Sequence, residues 1–340
     1  MNAQTSNHWK PVRRTLIVGV NWIGDTIMSM PAVEAWRREN PDAHLTVLVK
    51  QNYAPLWALH SAPDNIATFD DTNAGTFAAG KMLRAGRFDR AAIFPNSFRS
   101  AYIPWLARIP ERIGTTGHCR CLLLTRCLPA PSRTDRRHQA FEYFELLGLK
   151  PPAQLETPRL KISDGARESV MSRLEKFPRQ FVGLIPGAAR GPAKRWPAEH
   201  FVAVGRELAL KGRCGILLLG GPDDAELCEN ICGQIGGSSV LNLAGKTTLK
   251  EWAAMLACCR LVVCNDSGGM HLAAAVGTPL VAIFGLTDPA VTGPIGGNFA
   301  IVRNENVRAS RDIERDSAAA QKALAAIAPQ RVLDAIATLW

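Results

Sequence analysis

The sequence predicts an α/β protein built from two doubly wound, parallel-sheet domains facing a central cleft. Three observations carry that expectation. Apolar runs of strand length alternate with helical patterns along the chain, and most strands end in Gly, Pro, Asn or Asp immediately before a helix. The chain's 340 residues, 47% of them hydrophobic, also suffice for two buried cores. A more polar stretch, roughly Asp164 to Arg179, separates two such series. The first domain is therefore expected over residues 1–165 and the second over 166–325, with 326–340 as a terminal helix packing back toward the first domain.

In the first series "TLIVGV" reads as a strand, followed by a helix through "MSMPAVEAWRREN" that ends where Pro41 interrupts it. "HLTVLV" begins within a βαβ-type loop length, and "APLWALH" and "RAAIF" supply a further helix and strand. The second series is cleaner. "FVGLIPG", "GILLLGG", "VLNLAG", "LVVCND" and "LVAIFG" are strands, and between the first four stand the helices "AEHFVAVGRELALKG", "DAELCENICGQI" and "TLKEWAAMLACC". In the last helix, "PQRVLDAIATLW", Val332, Leu333, Ile336 and Leu339 share one face that requires a surface to cover it.

No run of about 18 apolar residues occurs, and "MNAQTSNHWKPVRR" leads into a strand rather than a signal-peptide core, so a cytoplasmic protein is expected. Nine cysteines are scattered along the chain; Cys258, Cys259 and Cys264 lie in apolar context and read as core residues. Cys119/Cys121 and Cys228/Cys232 have pairwise metal-ligand spacing but no second pair to complete a zinc site. The formal charge of +10 is concentrated between Arg99 and Arg137, where eight arginines (Arg99, Arg108, Arg112, Arg120, Arg126, Arg133, Arg136, Arg137) face two acids, Glu111 and Asp135. Tyr102, Trp105 and "CLLLT" are interleaved, which suits an anionic ligand with an apolar part; a solvated basic face is the plainer alternative. No aromatic nucleic-acid module accompanies these charges, so no nucleic-acid partner is expected.

The strand-to-helix loops carry the chemistry. In "VCNDSGGMHLAAA", Asp266, Ser267, Gly268 and Gly269 form the turn after a strand, and the glycines would let a diphosphate reach the free N–H groups of the next helix. A tight turn capped by Asp266 or Ser267 is the alternative. His271 is either a phosphate donor or a packed helix histidine. In "PGAARGPAKRWP", Gly187 and Gly191 allow close backbone approach, and Lys194 and Arg195 supply charge before a helix opened by Pro197. Neither a P-loop nor a G-x-G-x-x-G spacing occurs, which argues against ATP hydrolysis and hydride transfer. Asp25, after the strand "TLIVG", reads either as a helix N-cap or as a general base for an attacking hydroxyl. No Asp-x-Asp occurs, so a metal-free chemistry is expected, with cations and helix dipoles neutralising the diphosphate.

Five stretches together resemble the ADP-heptose:lipopolysaccharide heptosyltransferases, inverting glycosyltransferases of the two-Rossmann GT-B fold. They are "NWIGDTIMSMPA" at Asn21, "PNSFRSAYIPWLARIPERIG" at Pro95, "PGAARGPAKRWP" at Pro186, "NDSGGMHLAAAVGTPLVAIFG" at Asn265 and "APQRVLDAI" at Ala328. "GPAKRWP" and "PNSF" look like the family's heptosyltransferase II branch, which adds the second inner-core heptose to the first.

The resemblance implies Asp25 as catalytic base and Lys194 as the cation meeting the donor's phosphate and sugar. It implies donor binding by Gly187, Ala188, Ala189, Lys194, Arg195, Asp266, Ser267, Gly268, Gly269 and His271. Acceptor binding is expected from Asn21, Trp22, Asn96, Ser97, Arg99 and Arg112. Ala188 and Ala189 stand where other branches place hydroxyl residues, so backbone N–H groups would serve there. The implied co-substrate is ADP-heptose, with no resident cofactor. The implied partner is a lipopolysaccharide core precursor carrying Kdo and one heptose, met at the inner face of the inner membrane. A heptosyltransferase of type I or III and a GT-B-like nucleotide-sugar epimerase are the enzyme alternatives. Residues 306–321 match no motif of the family.

Overall fold

The structure is a computed structural model that describes residues 13–130, 132, 136–178, 180–189, 191–212, 214–305 and 314–340. Arg133 and Asp135 of the basic segment, and 306–313 of the unmatched stretch, lie outside the described residues. The chain divides into two compact units, Met1–Leu155 and Glu156–Trp340.

The first unit contains β1 (Arg14–Val18), α1 (Ile23–Glu39), β2 (His44–Lys50), α2 (Ala54–Trp57), β3 (Asn65–Phe69), α3 (Asn73–Ala85), β4 (Arg90–Ile93), α4 (Phe98–Leu106), β5 (Glu111–Thr115), β6 (Arg126–Leu128) and α5 (Ala140–Leu147). Its six strands form a parallel sheet in the order β3-β2-β1-β4-β5-β6. Leu16, Val18, Leu48, Ala91 and Ile93 of the sheet pack with Leu83 of α3 and Ile103 of α4 in one core. Phe77, Lys81 and Arg84 fall on the exposed side of α3, a helix whose Gly80 stands where a Cβ would meet Leu106 at 2.6 Å; α3 and α4 thereby pack closely.

The second unit contains α6 (Asp164–Arg173), β7 (Phe181–Ile185), α7 (Ala198–Gly212), β8 (Gly215–Leu218), α8 (Ala225–Ile235), β9 (Val240–Asn242), α9 (Leu249–Cys258), β10 (Leu261–Asn265), α10 (Gly268–Ala275), β11 (Leu280–Phe284), α11 (Pro289–Thr292), β12 (Phe299–Arg303), α12 (Ala318–Ala325) and α13 (Pro329–Leu339). Its sheet is also parallel, in the order β12-β11-β10-β7-β8-β9. Both orders are the doubly wound arrangement in which the chain reverses direction across the sheet after its third strand. That reversal opens a crevice at the carboxyl ends of β1 and β4 in one unit, and of β7 and β10 in the other. Cys259 and Cys264 are buried and burial pushes both thiols up, as expected of core cysteines, whereas Cys258, expected with them, is only partly buried.

Several elements differ from the sequence expectation. The polar stretch read as a divider forms α6, which Ser163 caps by accepting from the Ala166 N–H at 3.3 Å and which packs on α9. The second unit begins ahead of the expected residue 166 because the preceding segment is tied to it. Leu160 N–H donates to the Ala275 carbonyl at 3.2 Å, and Gly296, at φ +62°, leaves room for Thr157 that no Cβ would permit. α13 buries Val332 and Ile336 in the core of the second unit, where β12, α7 and β11 cover its apolar face. "APLWALH" forms only the single turn α2.

Candidate active site

In the second unit, two loops meet at the β7/β10 reversal. β10 ends in Asn265, which is wholly buried: its Nδ2 donates to the Pro186 carbonyl at 2.7 Å and its Oδ1 accepts the Trp196 N–H at 3.0 Å. This one side chain thus holds both ends of the 186–196 loop against the end of β10. Between those ends, a 3-10 turn over Pro192–Lys194 presents Lys194, whose Nζ lies 2.5 Å from Asp266 Oδ2. The two side chains are 16% and 6% exposed, so water screens the pair weakly.

α10 starts beside that pair. Its N-cap, Ser267, makes no side-chain cap bond, and the Ser267 hydroxyl has no hydrogen-bond partner among the described residues. The amino end of a helix carries unsatisfied N–H groups and a partial positive charge, and an uncapped start next to an ammonium is suited to an anion. Gly269 serves packing: a Cβ there would meet Ile185 at 2.9 Å and Trp252 at 3.1 Å. His271, one position beyond Met270, is 4% exposed.

The remaining expected donor residues have defined neighbours. Arg195 pairs with Asp224 at 3.4 Å, and Asp224 also accepts the Gly221 N–H at 3.1 Å. Burial raises the Asp224 carboxyl above its usual range, against the Gly221 bond and the Arg195 charge. A Cβ on Gly187 would fall 2.2 Å from that carboxylate, so Gly187 is required for the approach of Asp224. The Ala188 carbonyl accepts the Gly191 N–H at 3.0 Å, Ala188 is buried and Ala189 is exposed. Asn265, Asp224 and Arg315 were not singled out by their sequence context. Arg315, from the unmatched stretch, accepts the Ala193 N–H at its carbonyl at 3.1 Å and lays its side chain against Gly191.

In the first unit, the β1/β4 reversal gathers Asn21, Trp22 and Asp25 after β1 and Asn96, Ser97 and Arg99 after β4. Trp22, 56% exposed, is the N-cap of α1, so Asp25 lies inside the first turn and the N-cap reading of Asp25 is corrected. Gln139, at the start of α5, donates from Nε2 to Asp25 Oδ1 at 3.1 Å. Tyr53 and Tyr143 stand close enough that the Asp25 charge adds to burial in raising both phenols. Tyr53 donates to the Asn21 carbonyl, fixing the loop before Asp25. Gln139, lying 114 positions from Asp25 in the chain, carried no signal in the sequence.

The other expected acceptor residues divide. Asn96 and Ser97 are exposed, and Ser97 caps α4 by accepting the Ser100 N–H at 3.2 Å. Arg99 is paired with Asp71, whose carboxyl Lys50 and Arg99 hold below the usual range despite partial burial. Arg112 is not brought to this edge. It stands near the amino end of β5, and its guanidinium donates to the Leu123 carbonyl at 2.6 Å and to the Ile109 carbonyl. Arg120, fully buried, donates to the Thr115 carbonyl at 2.7 Å and to the Pro95 carbonyl. The basic segment is thus not one ligand surface, because several of its guanidinium groups fasten loops of the first unit.

Fold and site define the class: a two-lobed α/β protein of GT-B type, with its charged loops at the carboxyl edges of two Rossmann-like sheets. Residues 76–323 match glycosyltransferase family 9 (heptosyltransferase), and the chain belongs to that family. It is 32% identical to lipopolysaccharide heptosyltransferase 2 of Salmonella typhimurium and equally to that of Escherichia coli K12, in each case over 96% of this chain and 98% of the relative. The solved structure of E. coli ADP-heptose lps heptosyltransferase II superposes with a TM-score of 0.84 at 29% identity, covering 96% of this chain and 98% of that one.

Proposed function

We propose that the chain transfers L-glycero-D-manno-heptose from ADP-heptose to the first heptose of the lipopolysaccharide inner core, with inversion at the anomeric carbon. The curated relatives bearing the heptosyltransferase 2 name support the acceptor assignment. The observation that carries the donor assignment is the uncapped start of α10 beside the Lys194–Asp266 pair.

Asp25 takes the proton from the acceptor hydroxyl, whose oxygen attacks the anomeric carbon from the face opposite ADP. The bond from that carbon to the β-phosphate oxygen breaks as the new glycosidic bond forms, and ADP departs with the bonding pair. Gln139 holds the Asp25 carboxylate in place during this step. Lys194 and the first N–H groups of α10 meet the charge growing on the diphosphate, a contribution of about 3 kcal/mol for one well-placed donor. Asp266 contacts the donor heptose, and Arg195 and His271 complete the diphosphate surroundings. Asn21, Trp22, Asn96, Ser97 and Arg99 lie along the edge assigned to the acceptor, a core precursor carrying Kdo and one heptose. The reaction needs no metal ion and takes place at the cytoplasmic face of the inner membrane. Among the described residues, no group of three or more His, Cys, Asp or Glu side chains is placed to hold a metal, and no helix is long and apolar enough to cross a membrane.

The test is ADP release from ADP-heptose with purified lipopolysaccharide truncated to no heptose, one heptose or two. Release that requires the one-heptose acceptor supports the assignment. Release with only the no-heptose or two-heptose acceptor moves the enzyme to another branch of the family, and acceptor-independent turnover removes the transferase reading.

A further inference from the structure

We propose that the outer face of α3 and α4 is a docking surface for an anionic lipid bilayer. On α4, Phe98, Tyr102 and Trp105 recur at helical spacing and stack in sequence. Ring centroids are 5.8 Å apart at 24° for the first pair and 5.5 Å apart at 16° for the second. Phe77 of α3 meets Tyr102 edge-on at 6.0 Å. Phe77, Phe98 and Trp105 are each 44–56% exposed and meet through Tyr102, which makes a contiguous apolar stripe on the surface instead of isolated exposed side chains.

The charge around the stripe selects the occupant. Neither helix contains an acidic residue, whereas Lys81, Arg84, Arg87 and Arg108 lie exposed on or beside them. At the far end of the stripe, Arg84, Trp105, Leu106, Arg108 and Arg112 line a groove of about 530 Å³. Aromatic side chains with a basic fringe are the composition of a surface seated at the headgroup boundary of an anionic leaflet. Single-stranded nucleic acid would stack its bases on free ring faces. Here the Tyr102 ring is stacked on Phe98 and on Trp105, so the central ring is already occupied by its neighbours. The stripe begins next to Asn96 and Ser97, so a bilayer seated on it would bring the headgroup of a lipid-anchored acceptor to the edge that holds Asp25. That last link rests on the function proposed above; the docking itself does not.

Flotation of the full-length protein with vesicles tests the surface. Wild type should float with phosphatidylglycerol/phosphatidylethanolamine vesicles and far less with phosphatidylcholine. Lys81→Glu/Arg84→Glu should weaken partitioning about 25-fold or more, at about fivefold for each cation lost, and more steeply at low salt. Phe77→Ser/Trp105→Ser should weaken it at every salt concentration. Trp105→Ser alone replaces the double variant if the latter fails to melt cooperatively. The proposal is overturned if wild type ignores anionic vesicles, if both variants float like wild type, or if the protein binds a single-stranded oligonucleotide in preference to vesicles. Heptosyl transfer to a soluble, acyl-free acceptor is measured in parallel. Normal transfer without flotation sinks the docking surface alone, and flotation without transfer to any acceptor sinks the function alone.

Discussion

Lys194→Ala separates the structural from the chemical work of the cation at the second reversal point. The substitution leaves the Asp266 carboxylate, 6% exposed, without the ammonium that now lies 2.5 Å away. An uncompensated buried charge costs about 3–5 kcal/mol, and because Lys194 retains 16% exposure the lower end applies. About 3 kcal/mol in a unit of this length corresponds to a fall of roughly 6–12 °C in the melting midpoint. Loss of the same cation from the departing diphosphate should cost about 3 kcal/mol in the transition state, a fall of roughly 150-fold in kcat/KM. Lys194→Met/Asp266→Asn tells the two apart, since it removes both charges while approximately keeping volume. Differential scanning fluorimetry should then show most of the lost stability returned, while coupled detection of ADP shows transfer still depressed at least 100-fold. Recovery of both stability and transfer in the double variant would refute the donor role and leave the pair a fold-stabilising contact. Wild-type ADP release by Lys194→Ala would refute it as well.

The remaining predictions concern the first unit and the metal. Asp25→Asn should lower kcat by about 100-fold or more with an unchanged melting midpoint, because Asp25 is not the cap of α1; a large loss of stability with little loss of turnover would contradict this. Gln139→Leu should reduce kcat roughly tenfold, move the acid limb of the kcat–pH profile to higher pH and leave the KM for ADP-heptose unchanged, because it removes a donor to the Asp25 carboxylate. A matching profile for the variant and wild type would remove Gln139 from the site. Excess EDTA should leave transfer intact, and activity abolished by EDTA and restored by Mg²⁺ would contradict the metal-free reaction. Arg112→Glu should destabilise the first unit by about 1.5–3 kcal/mol, measured by urea unfolding, because its guanidinium serves backbone carbonyls. A raised acceptor KM at unchanged stability would return Arg112 to the acceptor.

The strands buried on both faces were legible, and of the edge strands only β9, within "VLNLAG", was. β7, β10 and β11 are buried at every position, and a parallel strand covered by helices on both sides must read as a continuous apolar run. β3 and β12 stand at the ends of their sheets with most positions partly or fully exposed; Asn65 and Thr68 break up the apolar residues of β3, and the apolar run of β12 is only the four residues 299–302, with no helical pattern beside it to mark it as a strand. α6 was missed for a related reason, since Val170 is its one fully buried residue and no helical stripe marks it. At the site, the loop chemistry around Lys194 and Asp266 could be read locally. Their contact spans 72 positions, and only the adjacency of β7 and β10 brings it about. Gln139 was silent because a glutamine before an apolar helix has many uses, and α1–α5 packing alone selects this one.

Charge density misled where partner type would have discriminated. Arg112 and Arg120 donate to main-chain carbonyls that belong to the fold, and those bonds cannot be exchanged for a ligand without opening the loops around Leu123, Ile109 and Pro95. Lys194 and Arg195 instead face the carboxylates of Asp266 and Asp224. A diphosphate oxygen offers a cation the same negative, hydrogen-bond-accepting partner as a carboxylate oxygen, so the ammonium can turn to a donor phosphate while the main chain stays in place. Among the arginines and lysines that give the chain its charge of +10, ligand-binding capacity therefore follows from an exchangeable anionic partner at a sheet reversal point. By that criterion Lys194 and Arg195 after β7, and Arg99 after β4, keep an exchangeable anionic partner, whereas Arg112 and Arg120 hold loops of the first unit in shape.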